Sequence, residues 1–113
     1  MVKRRNWSCG MRVWLESDGH VVLGRGRVEL LEAIERHHSI RQAAASLGMS
    51  YRRAWLLVQS INSACEMRLV EATKGGNSGG GAIVTTFGKE TIQRFHRLDR
   101  ALHAAATRVL KRF

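Results

Sequence analysis

The chain has 113 residues, of which 44% are hydrophobic and 25% are charged. This length fits a single domain with a modest core, and the apolar fraction excludes a chain that stays disordered. Lys and Arg number 19 against 9 Asp and Glu, so the formal net charge is +10. Such an excess of positive charge favours a polyanionic partner, and nucleic acid is the first to consider. Composition alone leaves open a basic protein that binds other proteins.

The first ten residues form a basic arm that contains Lys3, Arg4 and Arg5. No apolar run of the length of a signal peptide, or of the roughly 20 residues of a membrane span, follows this arm. We therefore predict a cytoplasmic protein that has no contact with membranes. The two cysteines, Cys9 and Cys65, are too few for a disulfide framework or a zinc site. Cys65 is expected in the core, on the apolar side of a helix.

The first predicted structure is a β-hairpin over residues 11–24. Two short apolar runs flank Asp18 and Gly19, and this pattern is typical of strands joined by an Asp-Gly turn. A helix is predicted next, over about residues 27–37. Its buried stripe comprises Leu30, Leu31 and Ile34.

Residues 39–61 show the pattern of two helices joined by a tight turn. Ser39 is positioned to cap the first helix, with Gln42 completing a reciprocal capping box. Gly48 lies where the chain must reverse, which favours a positive φ angle, and Ser50 is positioned to cap the second helix. Apolar residues recur at helical spacing, at Ala43, Ala44, Leu47, Ala54, Leu57, Val58 and Ile61. This pattern predicts a helix-turn-helix, whose second helix enters the DNA major groove.

Two β-rich segments follow the three helices of residues 27–66. They cover residues 68–73 and 82–86, and a basic, glycine-rich loop at residues 74–81 lies between them. Two strands joined by such a loop, directly after a helix-turn-helix, form the wing of a winged-helix domain. We therefore predict an α+β fold, mainly α. It is a single winged helix-turn-helix domain with an N-terminal β-hairpin and a wing over residues 68–86.

The chain is predicted to end in a long helix over residues 87–112. A helix of this length is too long to bury itself against a domain this small. Its apolar positions recur at alternating spacings of three and four, the pattern of a coiled-coil seam. The seam residues are Phe95, Leu98, Leu102, Ala105 and Val109. We predict a homodimer through this dimerisation helix, and docking of the helix on the domain's own core is the alternative.

Base recognition is expected from the first turns of the second helix of the motif. The guanidinium groups of Arg52 and Arg53 match the O6 and N7 acceptors of guanine. Ser50 and Tyr51 carry hydroxyls that reach phosphates or a base edge. A solvated helix face is the alternative for the two arginines. Trp55 is expected in the core, or as a wedge beside the groove, rather than as a reader of bases.

Phosphate contacts are expected from two other segments. Arg41 and Gln42 open the first helix of the motif, where free N–H groups face a phosphate, although capping alone would account for Gln42. Lys74 and Asn77 lie in the glycine-rich loop, whose glycines let the backbone approach a sugar-phosphate chain closely. An ordinary mobile hairpin is the alternative for this loop.

No set of side chains indicates an enzyme, a cofactor or a metal site. The adjacent His37 and His38 do not share a helix face, and the histidines are predicted to be surface residues. No Ser/His/Asp or Cys/His arrangement stands out, and the glycine spacing does not fit the phosphate loop of NTPases. We therefore predict a protein that is not an enzyme and needs no cofactor.

With these elements assigned, the chain resembles the N-terminal DNA-binding domain of molybdenum-responsive regulators of the ModE type. More distantly, it resembles the winged helix of LysR-type regulators. The resemblance spans about residues 25–100. It rests on Ser39, Ile40, Ala43, Ala44, Leu47, Gly48, Met49, Ser50, Tyr51, Ala54, Trp55, Asn62, Leu69, Val70, Glu71, Gly75, Gly76, Gly79, Gly80, Gly81, Ala82, Thr85 and Gly88.

The resemblance implies a bacterial transcription factor that binds a pseudo-palindromic operator as a homodimer. The helix that starts at Ser50 and the wing loop at residues 74–81 would then contact DNA. Regulators of the ModE type sense molybdate through C-terminal oxyanion-binding domains, and nothing in the sequence up to Phe113 looks like that site. The resemblance therefore implies DNA binding and not molybdate sensing.

Two other functions stay open. One is a nucleoid-type protein that coats DNA without sequence preference, for which the positive charge alone would suffice. The other is a protein-interaction module in metal-cofactor assembly that reuses the winged-helix shape.

Overall fold

A computed structural model describes residue 3 and residues 5–74 and 80–111 of the chain. The elements, in chain order, are β1 (Trp14–Ser17), β2 (His20–Gly24), α1 (Arg25–His37), α2 (Ile40–Ser46), α3 (Tyr51–Ser63), β3 (Val70–Thr73), β4 (Gly81–Val84) and α4 (Thr86–Leu110). They form a mainly helical α+β fold, and the predicted winged helix-turn-helix is confirmed.

The strands β1 and β2 form the predicted antiparallel hairpin. Asp18 and Gly19 have φ angles of 49° and 81°, as expected for a two-residue turn whose twist matches that of the strands. The pairing register shifts by one residue, so Val22 has no partner on β1. Because of this bulge, the consecutive residues Val22 and Leu23 are both buried in the core.

Two helix ends differ from the prediction. The helix α1 begins at Arg25, because Gly24 ends β2 and serves at once as the N-cap of the helix. The helix α3 ends at Ser63, so Cys65 lies in the turn that follows it and not on its apolar side. Cys65 is half-buried against the core, and this burial, followed by the charge of Glu66, raises the pKa of its thiol.

The core is formed by the three helices α1, α2 and α3 together with both hairpins and the start of α4. The fully buried large side chains are Leu23, Val28, Leu30, Leu31, Ile34, Ile61 and Leu69. Small residues, Ala43 and Ala44 on α2 and Ala54 on α3, are buried, and α2 packs against both α1 and α3. Small side chains on the buried faces of α2 and α3 allow neighbouring helices to approach closely.

The helix α4 has two parts with different surroundings. Its first part packs against β2 and β4, and within α4 the buried residues are Gly88, Ile92 and Phe95. Phe95 therefore belongs to the domain's own core, and its prediction as a residue of the dimer seam is wrong. The second part extends away from the core, beside residues 5–9 of the arm. No helix in the described part of the chain is long and apolar enough to cross a membrane.

Candidate nucleic-acid interface

The turn between α2 and α3 has the predicted geometry. The Ser39 hydroxyl oxygen accepts the Gln42 backbone N–H at 3.1 Å, and the Ser50 hydroxyl oxygen accepts the Arg53 backbone N–H at 3.1 Å. Gly48 has a φ angle of 69°. Both caps and the glycine turn are confirmed. The reciprocal bond from the Gln42 side chain is not found among the hydrogen bonds of the described residues.

The helix α3 has an inward and an outward face. The inward face consists of Ala54, Val58 and Ile61, which are buried. Because successive helical residues are rotated by about 100°, the residues opposite this buried stripe lie at spacings of four and three. They form a row that we call the outward row, and it consists of Arg52, Leu56, Gln59 and Ser63, all exposed.

Arg53 is also exposed, but it lies on one flank of α3, on the same side as Ser60. The Ser60 hydroxyl accepts a hydrogen bond from Arg27 Nη2 at 3.1 Å. Arg27 Nη1 donates to the Val21 carbonyl at 3.0 Å. Arg27, on α1, therefore links the N-terminal hairpin to α3 through these hydrogen bonds. Arg53 lies on the flank of α3 that carries Ser60. The two arginines predicted as readers thus occupy different positions on the helix.

The other flank of α3 carries Tyr51 and Trp55. The Arg41 guanidinium carbon lies 4.2 Å from the centroid of the Tyr51 ring, a cation–π contact that links α2 to the start of α3. Trp55 is 43% exposed, so its assignment to the core is wrong. Its position about 100° from the buried stripe explains the exposure. A role for Trp55 beside the groove stays a prediction.

Asn62 holds the base of the wing. Its Oδ1 accepts the backbone N–H groups of Leu69 and Val70 at 2.9 and 3.1 Å, and its Nδ2 donates to the Val70 carbonyl at 3.0 Å. One side chain on α3 therefore pairs three backbone groups at the start of β3. Because Asn62 lies in the last turn of α3, the helix that also carries the outward row, the wing keeps a defined position relative to that row.

Two glycines allow the close contacts around the wing. A Cβ atom at Gly88 would lie 2.5 Å from the Leu69 carbonyl oxygen, where the first turn of α4 meets the residue before β3. A Cβ atom at Gly81 would lie 2.7 Å from the His38 carbonyl oxygen, which accepts the Ala82 N–H at 3.0 Å. Both positions therefore require glycine for steric reasons.

The strands of the wing pair from Val70–Val84 to Thr73–Gly81. Lys74 follows β3 directly and is exposed. Asn77 and most of the glycine-rich loop lie outside the described residues. Contact of Lys74 and Asn77 with phosphate therefore stays a prediction, as does contact of the exposed Arg41 and Gln42.

Other polar groups have structural roles. His96 Nε2 lies 3.0 Å from Glu32 Oε2 and joins α4 to α1, and both side chains are half-exposed. His103 Nδ1 lies 2.8 Å from the Asp99 carbonyl, one turn earlier on α4. In the described part of the chain, no group of three His, Cys, Asp or Glu side chains could hold a metal ion.

Comparison with known families decides the class of the protein. Residues 26–89 match the model of the bacterial regulatory helix-turn-helix proteins of the LysR family. The chain belongs to this family. The matched residues run from the first turn of α1 to the first turn of α4, so they include the helix-turn-helix and the wing. The LysR-family match agrees with a DNA-binding transcription regulator, and such regulators are typically not enzymes.

Three relatives show what the chain is similar to over most of its length. It is 44% identical over 91 residues to the molybdenum-pterin-binding protein MopA of Rhodobacter capsulatus, and the aligned region covers 80% of this chain and 34% of that protein. It is 34% identical over 101 residues to the molybdenum transport protein ModE of Azotobacter vinelandii, and the aligned region covers 89% of this chain and 37% of that protein. It is 40% identical over 72 residues to the DNA-binding transcriptional dual regulator ModE of Escherichia coli K12, and the aligned region covers 64% of this chain and 28% of that protein.

The chain therefore spans about a third of the length of these relatives. The matched region is the N-terminal part of each relative. The resemblance to the N-terminal DNA-binding domain of the ModE type is confirmed.

Sequence reasoning missed three members of the outward row, Leu56, Gln59 and Ser63. The signal was present, because these residues lie four, seven and eleven positions after Arg52 and so share its helix face. Sequence reasoning also used Asn62 only as part of the family resemblance. Its role at the wing base depends on bonds to Leu69 and Val70, which no local pattern indicates.

Proposed function

We propose that this LysR-family domain binds DNA sequence-specifically, as a homodimer on a pseudo-palindromic operator. The observation that carries the proposal is the outward row of α3. The row is exposed and begins with Arg52, while the opposite face of the same helix is buried against α2, β2 and α1. The major groove of B-DNA is wide enough to admit an α-helix held in this way.

In this proposal Arg52 reads a guanine, because it lies near the centre of the exposed face. Arg53, on the flank, contacts a phosphate or a neighbouring base edge. The Ser50 hydroxyl oxygen accepts the Arg53 N–H, so its O–H remains available to donate to a phosphate. Tyr51 and Arg41, stacked on each other, contact the backbone beside α3.

The remaining phosphate contacts come from two segments. The Gln42 backbone N–H is used by the Ser39 cap, so the side-chain amide of Gln42 is the group that would reach a phosphate. Lys74 and Asn77 would contact the backbone from the wing. These contacts supply affinity and orientation but carry no direct sequence information.

The proposed dimer contact is the apolar stripe on the second part of α4. Leu98 and Leu102 are each 40% exposed and Val109 is 78% exposed, and Ala105 lies between them on the same face. One stripe that pairs with its own copy is the self-complementary patch that a two-fold dimer needs. Such a dimer presents two α3 helices, and a two-fold protein matches an operator with two-fold symmetry.

Selection of bound fragments from random DNA tests the proposal. We expect an enriched inverted repeat whose half-sites lie about 10 base pairs apart, or a multiple of that, and at least about 10³-fold preference over bulk DNA. Tight binding without an enriched sequence would instead support the nucleoid-type function. Negligible DNA affinity at physiological salt would support the protein-interaction module.

Sedimentation equilibrium tests the dimer separately. We expect the protein to be a dimer and Leu98→Lys to be a monomer. Met67→Lys is the matched control, because it introduces the same charge at an exposed apolar residue outside α4 and should stay dimeric. A wild-type monomer at micromolar concentration would contradict the proposed α4 contact.

A further inference from the structure

Leu56 is an exposed apolar side chain on a polar row. It is 49% exposed and belongs to the outward row, whose other members are Arg52, Gln59 and Ser63. Neither the capping nor the packing of α3 uses it, since the buried stripe lies on the opposite face. An exposed leucine at this position has two explanations. Either it packs against a partner in the complex, or it is one of the single apolar residues that are normal on a protein surface.

We propose that Leu56 is a specificity-determining residue that packs against the 5-methyl group of a thymine. This inference rests on the proposed function, in which α3 lies in the major groove. In that groove a methyl group is presented only by thymine, and an apolar side chain is the group that recognises it. Leu56 therefore adds preference for an A·T pair to the preference of Arg52 for a G·C pair.

The position of Leu56 sets where the thymine lies. Leu56 follows Arg52 by four residues, which is about 6 Å along the helix axis. Base pairs are stacked about 3.4 Å apart. The thymine read by Leu56 is therefore expected within about two base pairs of the guanine read by Arg52.

The surroundings of Leu56 favour a duplex over a protein as its partner. Arg52 and Arg53 lie within one turn of it, and the net charge of +10 attracts a polyanion. Large apolar patches often mark protein-binding surfaces, whereas the neighbours of Leu56 along the row are polar and the exposed Trp55 lies about 100° away on the flank of the helix. In the major groove, the methyl group of thymine lies beside hydrogen-bonding base edges. This arrangement matches a row in which one leucine lies among polar side chains.

Uracil substitution tests the inference on the site that the wild-type protein selects. Each thymine of that site is replaced in turn by deoxyuridine, which removes the methyl group alone. We expect one position in each half-site at which wild-type binding weakens about fourfold, as for the loss of one buried methyl-sized group. At that position Leu56→Ala should be insensitive to uracil, whereas Leu56→Met should stay sensitive.

Met67→Ala is the control variant, because it truncates a side chain of similar exposure outside α3 and should keep the wild-type sensitivity to uracil. Unchanged thermal unfolding of each variant confirms that the fold is kept. If no uracil weakens wild-type binding, or if Leu56→Ala keeps the wild-type sensitivity, the inference is wrong and the proposed function stands. If the wild type selects no site, the proposed function itself fails and the inference fails with it.

Discussion

The residue Asn62 at the base of the wing and the outward row both lie on α3, yet they have opposite surroundings. At the wing base, Asn62 pairs three backbone groups, and a Cβ atom at Gly88 would overlap the Leu69 carbonyl. Along the outward row, Arg52 and Leu56 are exposed. One end of α3 thus fixes the wing while its outer face remains available for a partner. The comparison predicts that the two regions fail differently, one in stability and the other in recognition.

The largest effect is expected from Gly88→Ala at the wing base. The added methyl group meets the Leu69 carbonyl oxygen and the Val84 side chain, so α4 must move away from β4 and from the backbone at Leu69, at a cost of about 3 kcal/mol. The free energy of unfolding, from urea titration, measures this loss. Gly26→Ala is the control, because it lies in α1 with open space around it and should be neutral or slightly stabilising. Equal stability of the two variants would show that the close approach is absent.

A smaller loss is expected from Asn62→Ala. The substitution leaves the N–H groups of Leu69 and Val70 without their acceptor, and we expect about 2 kcal/mol of destabilisation. The same urea titration measures it. Ser63→Ala, the next residue on α3, is exposed and should change stability by no more than about 0.5 kcal/mol. If Asn62→Ala has the same unfolding curve as the wild type, the hydrogen bonds of Asn62 do not stabilise the wing base.

Arg52→Ala should change recognition and not stability. We expect about a tenfold loss of discrimination between the selected site and a copy with its guanine replaced, with unfolding unchanged within about 0.5 kcal/mol. Arg53→Ala should relax base preference less, because Arg53 lies on the flank of α3. Fluorescence anisotropy with both duplexes measures the ratio. Arg100→Ala removes the same charge from an exposed site on α4 and should leave the ratio unchanged. Full discrimination by Arg52→Ala would remove it from the reader role.

The smallest effect is expected from Lys74→Ala in the wing. Loss of one phosphate contact should weaken binding to all sequences about equally and reduce the slope of log affinity against log salt by about 1. Salt titrations with the selected site and with random DNA measure both slopes. A change confined to the selected site would mean that Lys74 reads bases, and no change in either slope would mean that it touches no phosphate.

Local features were predictable from the sequence. The caps at Ser39 and Ser50, the positive φ of Gly48, and the Asp18–Gly19 turn all depend on residues within four positions of each other. Backbone geometry and side-chain reach decide such features without help from distant residues. The order of elements followed from them, because helical and strand periodicities alternate clearly along the chain.

Only the tertiary structure decided which faces are covered. Phe95 fits a seam by its spacing, but it is buried because α4 packs on β2 and β4, and Trp55 looks like a core residue but is exposed on a flank of α3. The sequence by itself determined where each helix and turn forms, since those interactions are short in range. The burial of side chains, the exposure of the outward row and the hydrogen bonds of Asn62 to the wing base depend on contacts between distant segments. These contacts exist only once the elements have packed together.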